Sequence, residues 1–554
     1  MFKKIQLYIN TVKYLKAGQI FSRIKRKYIK PKVSQLDIPE YAYPYNNIKP
    51  VIQCTQRMYG ENSFKFLNKE LTLDLTEDWN AKALDKLWLY NLHYFDDLNA
   101  TNSRHRAVWH ISLIQKWIDI NPPGLGNGWE PYPTSLRIVN WIKWVLLDLN
   151  SNNMLEQIYS DSLAIQARFL SQDLEYHLLG NHLFANAKAL VFAGLFFKGK
   201  EADHWYQLGV SIINRELLEQ VLSDGGHFEL SPMYHAIFLE DLLDLANIHQ
   251  AYNINFPNNL EIKIVQMLEW LKVMCHPDQE IAFFNDSSLD VAPSFSELLS
   301  YADRLGIVFK VNQVNQVNQV NQLIHLEESG YIRVENKNIV IIADVADIGP
   351  DYIPGHGHAD ALSFELSFFG KRVIVNSGIS TYELEEDRYK QRGTELHSTI
   401  TIDNQNSSEV WGGFRVANRA KVFNITKFEG GNGVKFSACH DGYKKLKGAV
   451  LHDRHWSMTN NSIRIIDNIT GSGVHKIRSV LPLHPGVKVV EIQEDSISLN
   501  IRKKIIKINF EGRGKLKVIE SKYYPEFGLS VYNTHLVYDY NGSLPSKITM
   551  NITW

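Results

Sequence analysis

The stretch GHGHADALSFEL, residues 355–366, concentrates side chains suited to chemistry. On extended backbone, residues i and i+2 project to one side. His356 and His358 therefore point together, with Asp360 in phase. Gly355 and Gly357 permit close backbone approach. One imidazole can then serve a metal and the other a substrate. A polar loop whose histidines satisfy each other fits the pattern equally well. Downstream, Asn376 ends the apolar run KRVIVNSG and His397 opens HSTITID. Two imidazoles with a third nitrogen or oxygen donor suit zinc. In the first half of the chain, LLGNHLF (178–184) places Asn181 and His182 after the helix breaker Gly180. ELSPMYH (229–235) reads as an N-cap, Ser231, with Pro232 at the first helical position. That puts Tyr234 and His235 in the first turn. Helix N-termini favour an anion, such as a carboxylate or a tyrosinate; capping and packing account for the same residues without one. A third loop, NGWEPYPTSLR (127–137), offers Trp129, Tyr132 and Arg137 as a wall that stacks a sugar and binds its acid group. Packing of that loop is the even alternative.

Elements must hold these residues. From about residue 80 to 310, runs such as SLRIVNWIKWVLLDL and AIFLEDLLDLANIHQAY carry apolar residues at three- and four-residue spacing. NPPGLGNG, SDGG and HPDQ interrupt them as turns. Consecutive helices with few strands predict a helical array or toroid over 81–310, after a helical extension over 1–80. Alternate helices of an up-down array start at the same end, so Asn181, His182, Tyr234 and His235 can share one rim. VNQVNQVNQVNQ, 311–322, is low complexity and reads as a surface loop or linker. Residues 323–554 change to short β-branched runs such as YIRVENKNIVIIADVA and SIRIIDNITG. These predict antiparallel strands in a β-sandwich.

GHGHADALSFEL, VIVNSG, R-x-x-x-x-H-S-T at 392–399 and WGGFR at 411–415 belong together. With GNGWEPYPTSLRIVNWIK, LLGNHLFANAKAL and DGGHFELSPMYH, they resemble the heparinase II/III-like polysaccharide lyases across residues 85–540. The resemblance implies a multidomain α+β chain: an N-terminal incomplete (α/α) toroid followed by a C-terminal antiparallel β-sandwich. It implies β-elimination beside a uronic acid. Asn181, helped by His182, would then hold the uronate carboxylate. Tyr234 would be base, acid or both in turn, and His356 the second acid–base group. His358 and His397 would bind a structural zinc ion. The family's usual third ligand is an aspartate, and Asn376 stands in its place. An amide oxygen is a weaker ligand, so zinc binds poorly, Asp360 contributes, or the metal is absent. Arg388, Tyr389, Arg392 and residues 411–415 look similar to residues flanking the family's site, with Arg415 on the substrate or on a domain contact. His235 joins Trp129, Tyr132 and Arg137 among the expected substrate contacts.

Bulk composition narrows the function classes. A formal net charge of −1 over 554 residues gives no argument for nucleic acid. An aromatic content of 12% suits sugar stacking or a large core equally. Cys54, Cys275 and Cys439 are scattered and predict neither a disulfide framework nor a CxxC metal site. The opening MFKKIQLYINTVKYLKAGQIFSRIKRKYIKPK is basic and amphipathic, without an apolar core segment or an A-x-A-like cleavage site. It reads as a packed helical extension, or as a contact with an anionic membrane surface. No 18-residue apolar run exists, so no integral membrane segment is expected. A cytoplasmic or membrane-peripheral location follows, or a periplasmic one reached by a non-standard route. Two functions compete: a lyase acting on an acidic bacterial surface polysaccharide, and a non-catalytic glycan-binding protein of capsule or exopolysaccharide production. The missing secretion signal favours the second; Asn181, Tyr234 and His356 favour the first. A hydrolase with paired carboxylates, through Asp224 and Glu229, is a distant third.

Overall fold

The computed structural model describes residues 2–32, 36–147, 157–256, 259–309, 322–430 and 433–554. The VNQ repeat, apart from Gln322, lies outside the described residues. The first half is helical: α1 (Phe2–Val12), α2 (Ala17–Tyr28), α3 (Lys86–Tyr94), α4 (Ala107–Ile120), α5 (Pro131–Leu147), α6 (Gln157–Gln172), α7 (Gly180–Phe196), α8 (Lys200–Gln220), α9 (Pro232–Ala251), α10 (Leu260–Val273) and α11 (Phe295–Arg304). The sequence suggested a helical extension over 1–80, but its described residues also include strands. Met58–Gly60, Ser63–Phe66 and Lys69–Thr72 form a three-stranded antiparallel sheet. Leu67 and Asn68 both have positive φ (52° and 58°), which a two-residue hairpin turn requires. Alternation of Phe64 and Phe66, both buried, supplies its apolar face.

α7 and α9 are the inner helices. Every residue of α7 is buried except His182. A helix covered on every side lies in a core, so the single uncovered histidine marks where that core opens. Trp79, Trp88, Trp117, Trp141, Trp205, Trp270 and Trp456 are fully buried. Most of the indole content is therefore core and not a sugar platform.

The second half is built of antiparallel sheets with a short α-helix, α12 (Glu386–Gln391), and a 3-10 turn at Thr394–Leu396. An eight-stranded sheet begins at Val422–Gly430 and ends at Lys488–Ile492, with Ser462–Thr470 paired to Ser546–Thr553 at its centre. A four-stranded sheet joins Lys515–Glu526, Leu529–Ser543, Val474–Pro482 and Ile400–Ile402. A five-stranded sheet runs Gln322–Leu326, Tyr331–Glu335, Ile339–Asp344, Phe364–Phe368 and Lys371–Ile374 in sequence order. Leu451–Met458 alternates buried and uncovered side chains, the period-two pattern of a strand with one covered face.

The five-stranded sheet meets the helical half. His276 bonds Glu365 at 2.7 Å and Ser367 at 2.8 Å, all fully buried. The Tyr331 hydroxyl donates to the Leu230 carbonyl at 2.6 Å. The Trp270 indole donates to Ser329 at 2.8 Å. These bonds hold the five-stranded sheet against α10, the segment that follows it and the residues just before α9.

Candidate active site

GHGHAD is not the opening of a strand. Residues 345–363 form the connection between Ile339–Asp344 and Phe364–Phe368. The two histidines still reach to the same side, because one carboxylate takes both. Asp286 Oδ2 is 2.8 Å from His356 Nδ1, and Asp286 Oδ1 is 2.8 Å from His358 Nε2. Arg388, on α12, donates to both oxygens of the same carboxylate, at 2.8 Å to Oδ2. Burial alone would raise the Asp286 pKa, but Arg388, His356 and His358 outweigh it and hold the group well below the ordinary carboxylate range. Asp286 lies in IAFFNDSSLD, a segment with no motif. The only hint was a polar cluster following a buried apolar run. Its neighbour Asn285, at φ 56°, locks the same loop by accepting the His358 amide at 3.0 Å.

The start of α9 follows the reading of ELSPMYH. Ser231 Oγ accepts the Tyr234 amide at 3.1 Å, and Pro232 opens the helix. The Tyr234 ring lies 3.9 Å from the His356 ring, centroid to centroid. Its hydroxyl shares a 2.9 Å hydrogen bond with Tyr382, a residue missed by the sequence reading. Burial, then Tyr382, pushes the Tyr234 phenol well above its ordinary value, so it rests protonated. α7 begins one residue earlier than expected. Gly180 is its first residue, Leu179 holds the cap position at φ 66°, and Asn181 does not cap the helix.

Glu229 joins the two helix starts. It is buried, its Oε1 accepts the Asn181 amide at 3.4 Å, and its Oε2 lies 3.6 Å from His356 Nε2. Burial raises its pKa, with His356 opposing. Glu229 Oε2 and Asn181 Oδ1 are both buried without a hydrogen-bond partner. A Cβ at Gly180 would fall 2.6 Å from Glu229 Oε1, so glycine is needed for this approach. Strain gathers here: Leu179, Leu230 and Asn285, none of them glycine, all have positive φ.

His182 bonds Glu175 at 3.3 Å and lies 4.6 Å from the Tyr132 ring. Burial lowers its pKa, but Glu175 outweighs that and raises it. Asn181, His182, Tyr132, Tyr234 and His356 are thus brought together. Other expected substrate contacts are not. Trp129 is buried, donates to the Asn121 carbonyl at 3.0 Å and packs on Trp117 and Phe169. Arg137 is fully buried over the Trp117 ring at 3.8 Å and bonds Gln166. His235 is fully buried, stacks on Trp270, and uses both ring nitrogens on the Met267 carbonyl and the His227 amide. Long side chains beside a cleft signature were drawn into the core because the core is deep there. Arg415 is exposed over Trp411 and Tyr8, a contact with α1. Tyr389 is exposed, and Arg392 is buried on the Gly357 carbonyl.

His358, Asp360 and His397 form the only three-residue group among the described residues whose donor atoms converge, all within 4.8 Å. His397 Nδ1 donates to the Gly393 carbonyl at 2.8 Å, and His358 Nε2 is committed to Asp286. The remaining ring nitrogens face each other at 3.1 Å. Outer hydrogen bonds of this kind orient imidazoles for a metal. Burial drives the His358 pKa down to about 4, which keeps the imidazole neutral. The donor set fits a divalent cation with Asp360 as its carboxylate. Asn376 meets Ser363 at 3.5 Å and accepts the Ser398 amide at 3.4 Å.

Residues 64–305 match the family described as Heparinase II/III N-terminus, and residues 318–554 match Heparinase II/III-like, C-terminal. The chain belongs to the heparinase II/III-like family. It is 29% identical over 363 residues to a heparin-sulfate lyase of Pedobacter heparinus, covering 59% of this chain and 53% of that protein. It is 28% identical over 363 residues to a heparin-sulfate lyase of Bacteroides stercoris, covering 62% and 52%. The chain spans about half the length of the curated relatives it matches. A crystal structure of heparinase III superposes with TM-score 0.72 at 19% identity, covering 97% of this chain and 89% of that one. A chondroitin AC lyase of Streptomyces coelicolor superposes with TM-score 0.53 at 9% identity, covering 98% and 79%. Heparinase II/III-like architecture thus spans helical and β-rich halves alike.

Proposed function

We propose that this protein is a polysaccharide lyase that cleaves a uronic-acid-containing glycan by β-elimination. The observation that carries the reading is the close contact of the Tyr234 and His356 rings, 3.9 Å between centroids, beside Glu229, whose Oε2 is buried without a partner and which accepts the Asn181 amide. A uronate lyase must neutralise a carboxylate, remove the neighbouring C5 proton and protonate the leaving oxygen. Asn181 and Glu229 supply the first need. Burial favours the neutral acid at Glu229, whose proton can be shared with the incoming carboxylate, while the Asn181 amide pairs with it. His356 supplies the second. With Nδ1 donating to Asp286, its Nε2 is left to accept the proton. Tyr234 supplies the third, since its phenol rests protonated. The C5–H bond breaks toward His356, the C4–O bond breaks, a C4–C5 double bond forms, and Tyr234 protonates the departing oxygen. Tyr132 and His182 offer a partly open wall for the adjoining sugar.

The same reading takes the helical half as an incomplete (α/α) toroid and the sheets as a β-sandwich. It places zinc at His358, His397 and Asp360. A bound cation there neutralises the buried carboxylate and ties the His356 loop to the segment carrying His397. The names of the relatives, heparin-sulfate and chondroitin AC lyases, support an acidic glycan as substrate.

The test is ultraviolet absorbance of the conjugated 4,5-unsaturated uronate, followed across a panel of uronic-acid polysaccharides. A rise that is lost in Tyr234→Phe and in His356→Gln is the expected result. Glycan binding with no rise on any polymer overturns the lyase reading.

A further inference from the structure

The first 36 residues carry ten Lys or Arg and no Asp or Glu, in a chain whose formal net charge is −1. Within this stretch lie α1 and α2, and α2 is oriented against the usual rule. A surface helix ordinarily turns its apolar stripe inward. In α2 the inward residues are polar: Gln19 is buried against the Leu178 and Tyr352 carbonyls, and Arg26 pairs with Asp173 at 2.7 Å. Ile20, Phe21, Ile24 and Tyr28 share an arc of about 100° on the opposite side. Phe21 is 70% exposed, Ile24 54% and Tyr28 74%. Lys25 and Lys27, both exposed, border that arc. α1 repeats the arrangement. Thr11 and Tyr8 hold it to the Trp411 ring and the Val416 carbonyl, while Ile5, Ile9 and Val12 stay exposed.

We propose that the outward face of α1 and α2 binds the surface of an anionic phospholipid bilayer. The argument is the joint requirement of the face. A polar protein surface or an acidic polysaccharide would satisfy the lysines but would leave Phe21, Ile24 and Tyr28 against water. A neutral apolar partner would bury the lysines unpaired. The headgroup boundary of an anionic bilayer satisfies both, because apolar side chains enter the acyl region while cations remain among phosphates. An aromatic residue such as Tyr28 suits that boundary. The helices rest on the loops that lead to Asn181 and to Phe414, whose ring is 6.0 Å from His356. Docking would hold the cleft near the membrane and direct it to glycans made or anchored there. The inference does not depend on the lyase reading, since it concerns a separate surface.

The test is co-flotation of the full chain with phosphatidylcholine vesicles, with and without about one third phosphatidylglycerol. The expected result is binding to the anionic vesicles alone, weakened by salt. A double variant, Phe21→Ser with Ile24→Ser, and a second, Lys25→Gln with Lys27→Gln, should each reduce binding at least tenfold. Both pairs are exposed, and thermal unfolding unchanged from the parent checks that the fold is kept. Absence of flotation, or flotation equal in all variants, overturns the proposal. So does self-association in solution that Phe21→Ser with Ile24→Ser abolishes without any vesicle binding, because a second copy would then be the occupant.

Discussion

At the scale of single residues, the site depends on atoms that are buried without partners. Asn181 Oδ1 and Glu229 Oε2 are each buried without a protein partner, a cost of about 1–3 kcal/mol apiece; on the proposed reading a protonated Glu229 would donate to the bound carboxylate, and a glycan hydroxyl would donate to the Asn181 oxygen. Tyr234→Phe removes one hydroxyl, whose partner among the described residues is the Tyr382 hydroxyl. It should lower kcat by about 10²–10⁴-fold while the melting temperature stays near that of the parent. Gly180→Ala tests the approach of Glu229. The new methyl meets Glu229 Oε1 on backbone at φ 54°, so stability should fall by about 1–3 kcal/mol in denaturant titration. Activity should fall with it, since Glu229 must move. Parent-like stability and turnover would remove Glu229 from the mechanism.

At the scale of elements, the decisive contact is α12 reaching back to the segment before α11. Arg388 and Asp286 are both fully buried. Arg388→Met leaves a buried carboxylate without its guanidinium and should cost about 3–5 kcal/mol in urea unfolding. The His358 site makes a different prediction. His358→Ala should lower zinc content measured on the purified protein and lower the melting temperature together; a chelator should reproduce the shift in the parent and not in the variant. Much of this scale was legible beforehand. The helical spacing, the change to β-branched runs near residue 323 and the cap at Ser231 are local signals, and each is carried by adjacent residues. Asp286 and Tyr382 were not legible, because their roles come from partners 70 to 148 positions away, His356 and Tyr234. Arg137, Trp129 and His235 misled for the opposite reason. Their types suit a cleft, but burial is set by neighbouring helices that no short motif describes. The hairpin at Leu67 and Asn68 was hidden by its lack of glycine.

At the scale of the whole molecule, acid sensitivity follows from buried histidines. Burial depresses His93 and His235 to about 3, and His249 and His535 to about 4. In the unfolded chain such groups titrate near 6.5. The unfolded state therefore binds more protons below that pH, and stability is full above about 6.5 and lost as pH falls toward 4. Each such histidine contributes a slope of up to about 1.4 kcal/mol per pH unit. The melting temperature should begin to decline between pH 7 and 5, before ordinary carboxylates protonate. A flat profile over that interval would mean that these imidazoles are hydrated. The residues of the proposed mechanism are also divided along the chain: Asn181, Glu229, Tyr234 and Asp286 precede Phe309, and His356 follows Gln322. Severing the chain between those two points would yield a pair of polypeptides, each with part of the proposed catalytic set. Expressed apart they should be silent. Fused to two proteins that associate, they would regain turnover only when brought together, so the division makes this chain a natural template for a fragment-complementation reporter.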